Sequence, residues 1–175
     1  MSGIGPESFL YFSFSLSLAP ELTRDRLQGV ALPTLPVGEV AEALDVSLVH
    51  DVPSQDWGGR VARLVDAPAQ RVLGLLRTLA PQNRSLVADL EQRLALATVE
   101  REVRVRTASG VRVTARAFTP PAVKHAPQGP VSVTFLVALA RAAERAGLPA
   151  DYVERLQAEA HLVQTVQRAH AERLR

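Results

Sequence analysis

Residues 99–118, VEREVRVRTASGVRVTARAF, hold two runs in which apolar and charged side chains alternate. A period of two belongs to a strand with one solvated face. Val99–Arg106 and Val111–Phe118 are therefore expected to pair as a hairpin through TASG, where Gly110 can take a positive φ. Glu100 and Glu102 share strand parity with Arg104 and Arg106. Cross-strand ion pairs on a solvated face are the expected use of these arginines, ahead of an anion- or nucleic-acid-binding patch.

Working outward, Pro81–Arg93 reads as a helix: proline suits its first turn, and Leu86, Leu90 and Leu94 recur at helical spacing. Upstream, Arg60–Val65 and Arg71–Leu79 are two strand-like runs that follow the turn-rich PSQDWGG. The segment VALPTLPVGEVAEALDVSLVHDV, residues 30–52, stays open between two readings. Its middle has helical composition, whereas Asp45–His50 alternates like a strand. At the start, FSFSLSL (12–18) reads as a strand with Phe12, Phe14, Leu16 and Leu18 on one face and serines on the other. Ser17 can cap a short helix over Pro20–Gln28, ended by Gly29.

Downstream of the hairpin, TPPAVKHAPQGP is too rich in proline for regular structure. Ser132 can cap a helix that runs to Ala146 and stops at Gly147 and Pro149. Ala150–Arg175 reads as a long helix with Tyr152, Leu156, Val163 and Val166 as its apolar stripe. Mixed strands and helices with a β-rich middle make the class α+β.

Composition narrows the function. A chain of 175 residues with 47% hydrophobic and 22% charged residues suits one folded domain. No apolar run approaches the ~20 residues of a membrane helix, so no membrane is expected. Gly3, Gly5, Pro6 and Glu7 are unlike the basic start of a secretory signal, and a cytoplasmic location is expected. With no cysteine there is no disulfide, thiol nucleophile or thiolate metal site. The net charge is only +2 and arginine is interspersed with acid, which disfavours nucleic acid as a partner. The abundance of alanine, valine, leucine and arginine suggests a GC-rich bacterial genome. No two of the four histidines stand three or four apart on an expected helix, so no metal site is expected. Neither a Gly-rich phosphate cradle nor a Gly-x-Ser-x-Gly elbow is present. Carboxylates remain, and Glu91 in ADLEQ, taken by itself, reads as an exposed helix acid beside Asp89.

Six segments in order alter that reading. FLYFSFSLSL resembles Phe-Leu-Tyr-Phe-Ala-Tyr-Gly-Ser-Asn-Leu, and DWGGRVARLV resembles Trp/His-Gly-Gly-Ile-Ala-Thr-Ile. RVLGLLRTL resembles Val-x-Gly-Val-x-Tyr, and SLVADLEQ resembles Leu-Asp-x-x-Glu-Gly. The hairpin VEREVRVRTASGVRVTARAF is similar to Val-x-Val-x-x-x-Asp-Gly-x-x-x-x-Ala-x-x-Tyr. ARAAERAGLPADYVERLQ is similar to Gly-Ala-x-x-x-Gly-Leu-Pro-x-x-Tyr-x-x-x-Leu, the most specific single piece. These are landmarks of the gamma-glutamylcyclotransferase family, including its AIG2-like branch, and the resemblance covers about residues 9–157.

The resemblance implies a small mixed β-barrel with flanking helices over residues 1–157. The long C-terminal helix would continue as an extension over 158–175, packed on the domain or used for association with a protein partner or a second copy. It also implies a reaction without a cofactor, in which the α-amine of a γ-glutamyl substrate attacks its own γ-carbonyl and 5-oxoproline forms as an amine leaves. An ungapped count from Val103-Arg104-Val105 places Glu91 on the family's general base, with Gln92 in place of the motif glycine. The substrate-binding positions fall on Phe14, Ser15, Leu16, Ser17 and Leu18, where the family has Tyr-Gly-Ser-Asn-Leu, and on Phe135 in place of a second tyrosine. Loss of those hydroxyl and amide groups favours a binding or interaction protein with a degenerate pocket. The alternative is an active cyclotransferase on a γ-glutamyl-like small molecule, with Glu91 as general base.

Overall fold

The computed structural model describes residues 8–28 and 32–175. Its strands are β1 (Phe9–Ser13), β2 (Glu39–Ser54), β3 (Gly59–Leu79), β4 (Val99–Thr107) and β5 (Arg112–Thr119). Its helices are α1 (Arg84–Ala95), α2 (Val133–Arg145) and α3 (Ala150–Arg173), with single 3₁₀ turns at Leu16–Leu18 and Pro81–Asn83 and a longer 3₁₀ stretch at Pro20–Arg26. The strands close into a barrel in the order β1-β3-β2-β4-β5. Closure comes from a parallel bridge between Tyr11 on β1 and Arg116 on β5; the other pairings are antiparallel. The fold is thus the expected α+β mixed barrel with flanking helices and a long C-terminal helix. Among the described residues no helix is long and apolar enough to cross a membrane.

Period two decides which side of the wall each residue serves. Phe12, Phe14, Ala41, Ala43, Val72, Leu76, Val103, Val105, Ala115 and Ala117 share one apolar cluster that fills the barrel. A second cluster unites Leu16, Leu18, Leu75, Leu90, Leu94, Phe135, Leu139 and Tyr152, sealing the helices onto the wall. Gly74 sets the spacing between β1 and β3. A Cβ there would overlap the Ser13 carbonyl oxygen and lie 2.7 Å from the Phe12 ring, so only glycine permits this approach.

The hairpin forms as read, with Gly110 at φ 87°. Four of its arginines meet acids: Arg101 with Asp66, Arg104 with Asp45 and Arg106 with Glu42 on neighbouring strands, and Arg116 with Glu102 across the hairpin; Arg84 of α1 pairs with Glu100. Ser132 caps α2 by accepting from the Phe135 amide at 3.0 Å and donating to the Trp57 carbonyl at 2.5 Å. Gly147, at φ 77°, lies between α2 and α3 as expected.

Several expectations change. Residues 39–54 form one strand, because pairing with both β3 and β4 overrides the helical leaning of Ala and Glu. The two runs Arg60–Val65 and Arg71–Leu79 belong to one strand, joined through residues 67–70, which have no partners on β2. That interruption sits opposite Asp45 (φ 57°), whose carboxylate accepts from the Ala69 amide at 3.0 Å. β1 stops at Ser13 rather than running to Leu18. Ser17 caps nothing: Pro20–Arg26 is a 3₁₀ segment with Ala19 at its start, and Gly29 lies outside the described residues. On α1 the buried stripe is Val87, Leu90, Glu91 and Leu94, and Leu86 faces solvent one position off it. On α3, Val153 and Ala160 join Tyr152 and Leu156 in the stripe, whereas Val166 is exposed. α2 has 13 residues and α3 has 24, so the end of α3 outruns its partner helix.

The Gly74 contact yields a stability test. Gly74→Ala is expected to destabilise the protein by about 1–3 kcal/mol or more, as overpacking against a fixed backbone does. Urea unfolding of the two proteins measures it, and an unchanged midpoint would show that β1 and β3 tolerate separation.

Candidate active site between α1 and the barrel wall

The outer face of β1 carries Phe9, Tyr11 and Ser13, the parity opposite to Phe12. Antiparallel register sets Tyr11 directly against Arg77 and Ser13 against Leu75 on β3. Side chains opposite one another in a sheet leave it on the same side, so Tyr11 and Arg77 project together beneath α1. The buried stripe of α1 faces them, with Glu91 among its leucines. Glu91 is 2% exposed, so the plain reading of an exposed helix acid is wrong. Asp89 does point outward, where it pairs with Arg93 at 3.0 Å.

The Glu91 carboxylate accepts a short hydrogen bond from the Tyr11 hydroxyl and a second, at 2.6 Å, from Ser17 Oγ. Both fall on Oε1, leaving Oε2 outside these two bonds. Ser13 and Ser17 hydroxyls lie 2.8 Å apart. Since Ser17 has one proton and donates it to Glu91, Ser13 donates to Ser17. The chain reaches this arrangement because it turns after Ser13. Leu16–Leu18 form a 3₁₀ turn, closed by Leu18 N–H donating to the Ser15 carbonyl at 3.0 Å, that swings Ser17 back toward α1. Ser15 stands where the family has glycine, yet its φ is −121°, so no left-handed backbone is required there.

Burial pushes the Glu91 carboxyl up to about 7, against the opposing pull of the Ser17 and Tyr11 hydrogen bonds and the Arg77 charge. Burial, together with the negative charge on Glu91, likewise holds the Tyr11 phenol well above its ordinary range, so Tyr11 remains a donor. Trp57 supports the far end of the helix by donating from Nε1 to the Leu94 carbonyl at 3.1 Å.

The other expected positions divide. Phe14 turns away, stacking on Phe12 in the barrel-filling cluster. Leu16 and Leu18 are buried in the cluster beneath the helices. Ser15 Oγ is buried and has no hydrogen-bond partner among the described residues. Phe135 is fully buried, with its ring edge-on to Trp57 and His50. Sequence reasoning passed over Tyr11, Ser13 and Arg77. The available signal was parity, because the alternation that groups the serines of FSFSLSL also includes Tyr11. A cleft of about 350 Å³ shares Leu18 and Arg77 with this network and is otherwise lined by Pro20, Glu21, Arg24 and residues 32–35. Among the described residues no group of three or more His, Asp or Glu side chains is placed to hold a metal ion.

The raised carboxyl carries a stability signature. Folded Glu91 stays protonated up to about pH 7, whereas the unfolded side chain releases its proton near 4.5. Its protonated form therefore gives full stability below pH 4.5, and that contribution is lost as pH rises from 4.5 to 7. The loss amounts to at most about 3 kcal/mol. Glu91→Gln lacks this titration, so its stability relative to the native protein should improve across that window. Denaturant titrations at pH 5 and pH 8 test this; a pH-independent difference would place Glu91 in a solvated setting.

The geometry can be set beside known proteins. An AIG2-like family model matches residues 71–156, which span Arg77, Glu91 and Phe135. Human gamma-glutamylcyclotransferase is 27% identical over 159 residues, covering 90% of this chain and 82% of the human one. The mouse protein of that name is 26% identical over 153 residues, covering 87% and 79% respectively. A solved gamma-glutamyl cyclotransferase structure aligns with a TM-score of 0.67 at 27% identity, covering 87% of this chain and 88% of that one. The matched central and C-terminal residues and the barrel itself agree: over most of its length the chain is similar to the gamma-glutamylcyclotransferase (AIG2-like) family.

Proposed function

We propose that the chain is a cyclotransferase acting on γ-glutamyl amides, with Glu91 as general base. The observation that carries this reading is a carboxyl almost wholly excluded from water, held by two hydroxyl donors and poised near neutrality. A general base works best when its pKa lies close to the operating pH, and a carboxyl in this state meets that requirement. Relatives named gamma-glutamylcyclotransferase support the reaction class.

In this mechanism the ionised Glu91 takes a proton from the substrate α-ammonium group. The freed amine attacks the γ-carbonyl carbon, closing a five-membered ring. The tetrahedral adduct collapses by breaking the bond to the leaving nitrogen, which takes the proton held by Glu91; the ring nitrogen gives its surplus proton to the re-ionised Glu91, which passes it on to the departing amine. The products are 5-oxoproline and a free amine, and no redox step or external nucleophile is needed. Ring closure is intramolecular, so folding the substrate into a near-attack shape supplies much of the acceleration. Tyr11 and Ser17 fix the orientation of the base through Oε1, and Oε2 faces the proton. Substrate approaches from the cleft that Leu18 and Arg77 line.

A second reading is an interaction protein with an inactive pocket. Two observations favour it: Leu16 packs into the apolar cluster where the family has serine, and Leu162 and Val166 are exposed on α3. Ser17 weighs the other way, since its hydroxyl still serves the carboxylate.

Incubation with γ-glutamyl amino acids and γ-glutamyl amines, followed by chromatographic detection of 5-oxoproline, separates the two. Turnover should rise on an acidic limb near pH 7, and Glu91→Gln should lower it by roughly 10²–10⁴-fold. Ser17→Ala removes a bond that favours the ionised form, so it should move that limb to higher pH. Absence of turnover across the panel, with Glu91→Gln and native proteins capturing the same partner, would leave the interaction reading in its place.

A further inference from the structure

Arg77 is a buried cation whose guanidinium makes no direct ion pair among the described residues, although the Glu21 and Glu91 carboxyls lie near enough to act on it. It is 7% exposed, and its guanidinium donates to the Pro36 carbonyl at 2.6 Å and to the Leu18 carbonyl at a marginal 3.5 Å. Its Nε is buried with no partner, and Arg77 makes no ion pair with a carboxylate among the described residues. Four arginines of the hairpin, Arg101, Arg104, Arg106 and Arg116, by contrast each find an acid. An arginine withdrawn from water and left with neutral acceptors is costly unless something anionic completes its fork.

Position says what that would be. Arg77 leaves β3 opposite Tyr11, the donor to Glu91, and it lines the cleft of about 350 Å³ beside Leu18. Arg24 lies on the same cleft, with Glu21 as its acidic member. The volume suits one amino-acid-sized ligand. The stem of Arg77 is hemmed in by Gly38, where a Cβ would come within 3.1 Å of Arg77 Cγ. The family motif Val-x-Gly-Val-x-Tyr has tyrosine where this chain has Arg77.

We propose that Arg77 is a specificity-determining residue of this site, presenting its guanidinium to a carboxylate of the substrate. Identifying that ligand as a γ-glutamyl compound rests on the cyclotransferase reading above. The carboxylate is the α-carboxylate of the γ-glutamyl group, the one that 5-oxoproline retains. Planar two-point pairing between guanidinium and carboxylate supplies both attraction and orientation.

Calorimetric titration of the full chain with 5-oxoproline and with 2-pyrrolidinone, the same ring without its carboxylate, tests the proposal. The native protein should prefer 5-oxoproline by roughly tenfold or more, and Arg77→Gln should abolish the preference. Arg77→Lys keeps the charge and most of the volume but loses the fork. It should also lose most of the preference while melting near the native temperature, which separates recognition from folding. Equal affinity for the two rings, or a preference untouched in both variants, would overturn the assignment. So would an Arg77→Gln protein whose only change is a shifted acidic limb, since that marks an influence on Glu91 alone.

Kinetics locate the carboxylate. A KM raised by Arg77→Lys for both γ-glutamyl-alanine and γ-glutamyl-methylamine is expected for the α-carboxylate; a rise confined to the former would overturn that assignment. The two readings fail separately. Carboxylate preference without turnover removes the cyclotransferase and keeps the Arg77 site, whereas Glu91-dependent turnover without that preference removes the Arg77 role alone.

Discussion

The region between α1 and the barrel depends on one buried carboxyl and the two hydroxyls that hold it. Removing a carboxylate from water is unfavourable, and the hydrogen bonds from Tyr11 and Ser17 only partly offset that cost, as its elevated pKa records. Meeting the requirement constrains three elements at once. β1 must present Tyr11 outward, which its pairing with β3 does. The chain must turn immediately after Ser13 so that Ser17 returns to the carboxylate. α1 must put Glu91 on its inward stripe, between leucines that exclude solvent.

Much of the scaffold was legible because single residues there carry unambiguous chemistry. Gly110 in the hairpin turn, Ser132 at the start of α2 and Gly147 before α3 each answer a local backbone need. β2 was not legible, since Ala41, Glu42, Ala43 and Leu44 suit a helix until neighbouring strands claim their hydrogen bonds. The break in β3 was visible but not its sense. Residues 67–70 interrupt the pairing, and Asp45 reaches across to hold the strand together.

The site was legible only in part, for a related reason. Glu91 could be picked out by resemblance, but its burial depends on how α1 is rotated, and Leu86 misleads about that rotation. The serines of FSFSLSL looked interchangeable. In the fold they have different tasks: Ser13 and Ser17 form a relay to Glu91, and Ser15 keeps a buried hydroxyl without a partner. Leu16 and Leu18 contribute by burying themselves in the core, which anchors the turn that carries Ser17. Polar and apolar positions of one short segment thus cooperate, where alternation alone suggested a continuous strand. Places where local pattern and final structure disagree tend to be functional, and here the disagreement falls at the carboxylate.

The central claim is that Glu91 is a carboxyl withdrawn from solvent and poised near neutrality. Carbon-13 NMR of the side-chain carboxyls, with Glu91 assigned by its absence in Glu91→Gln, measures this directly. A resonance titrating near pH 7 is the predicted result. A Glu91 resonance titrating near 4.5, the ordinary value of its side chain, would contradict the account.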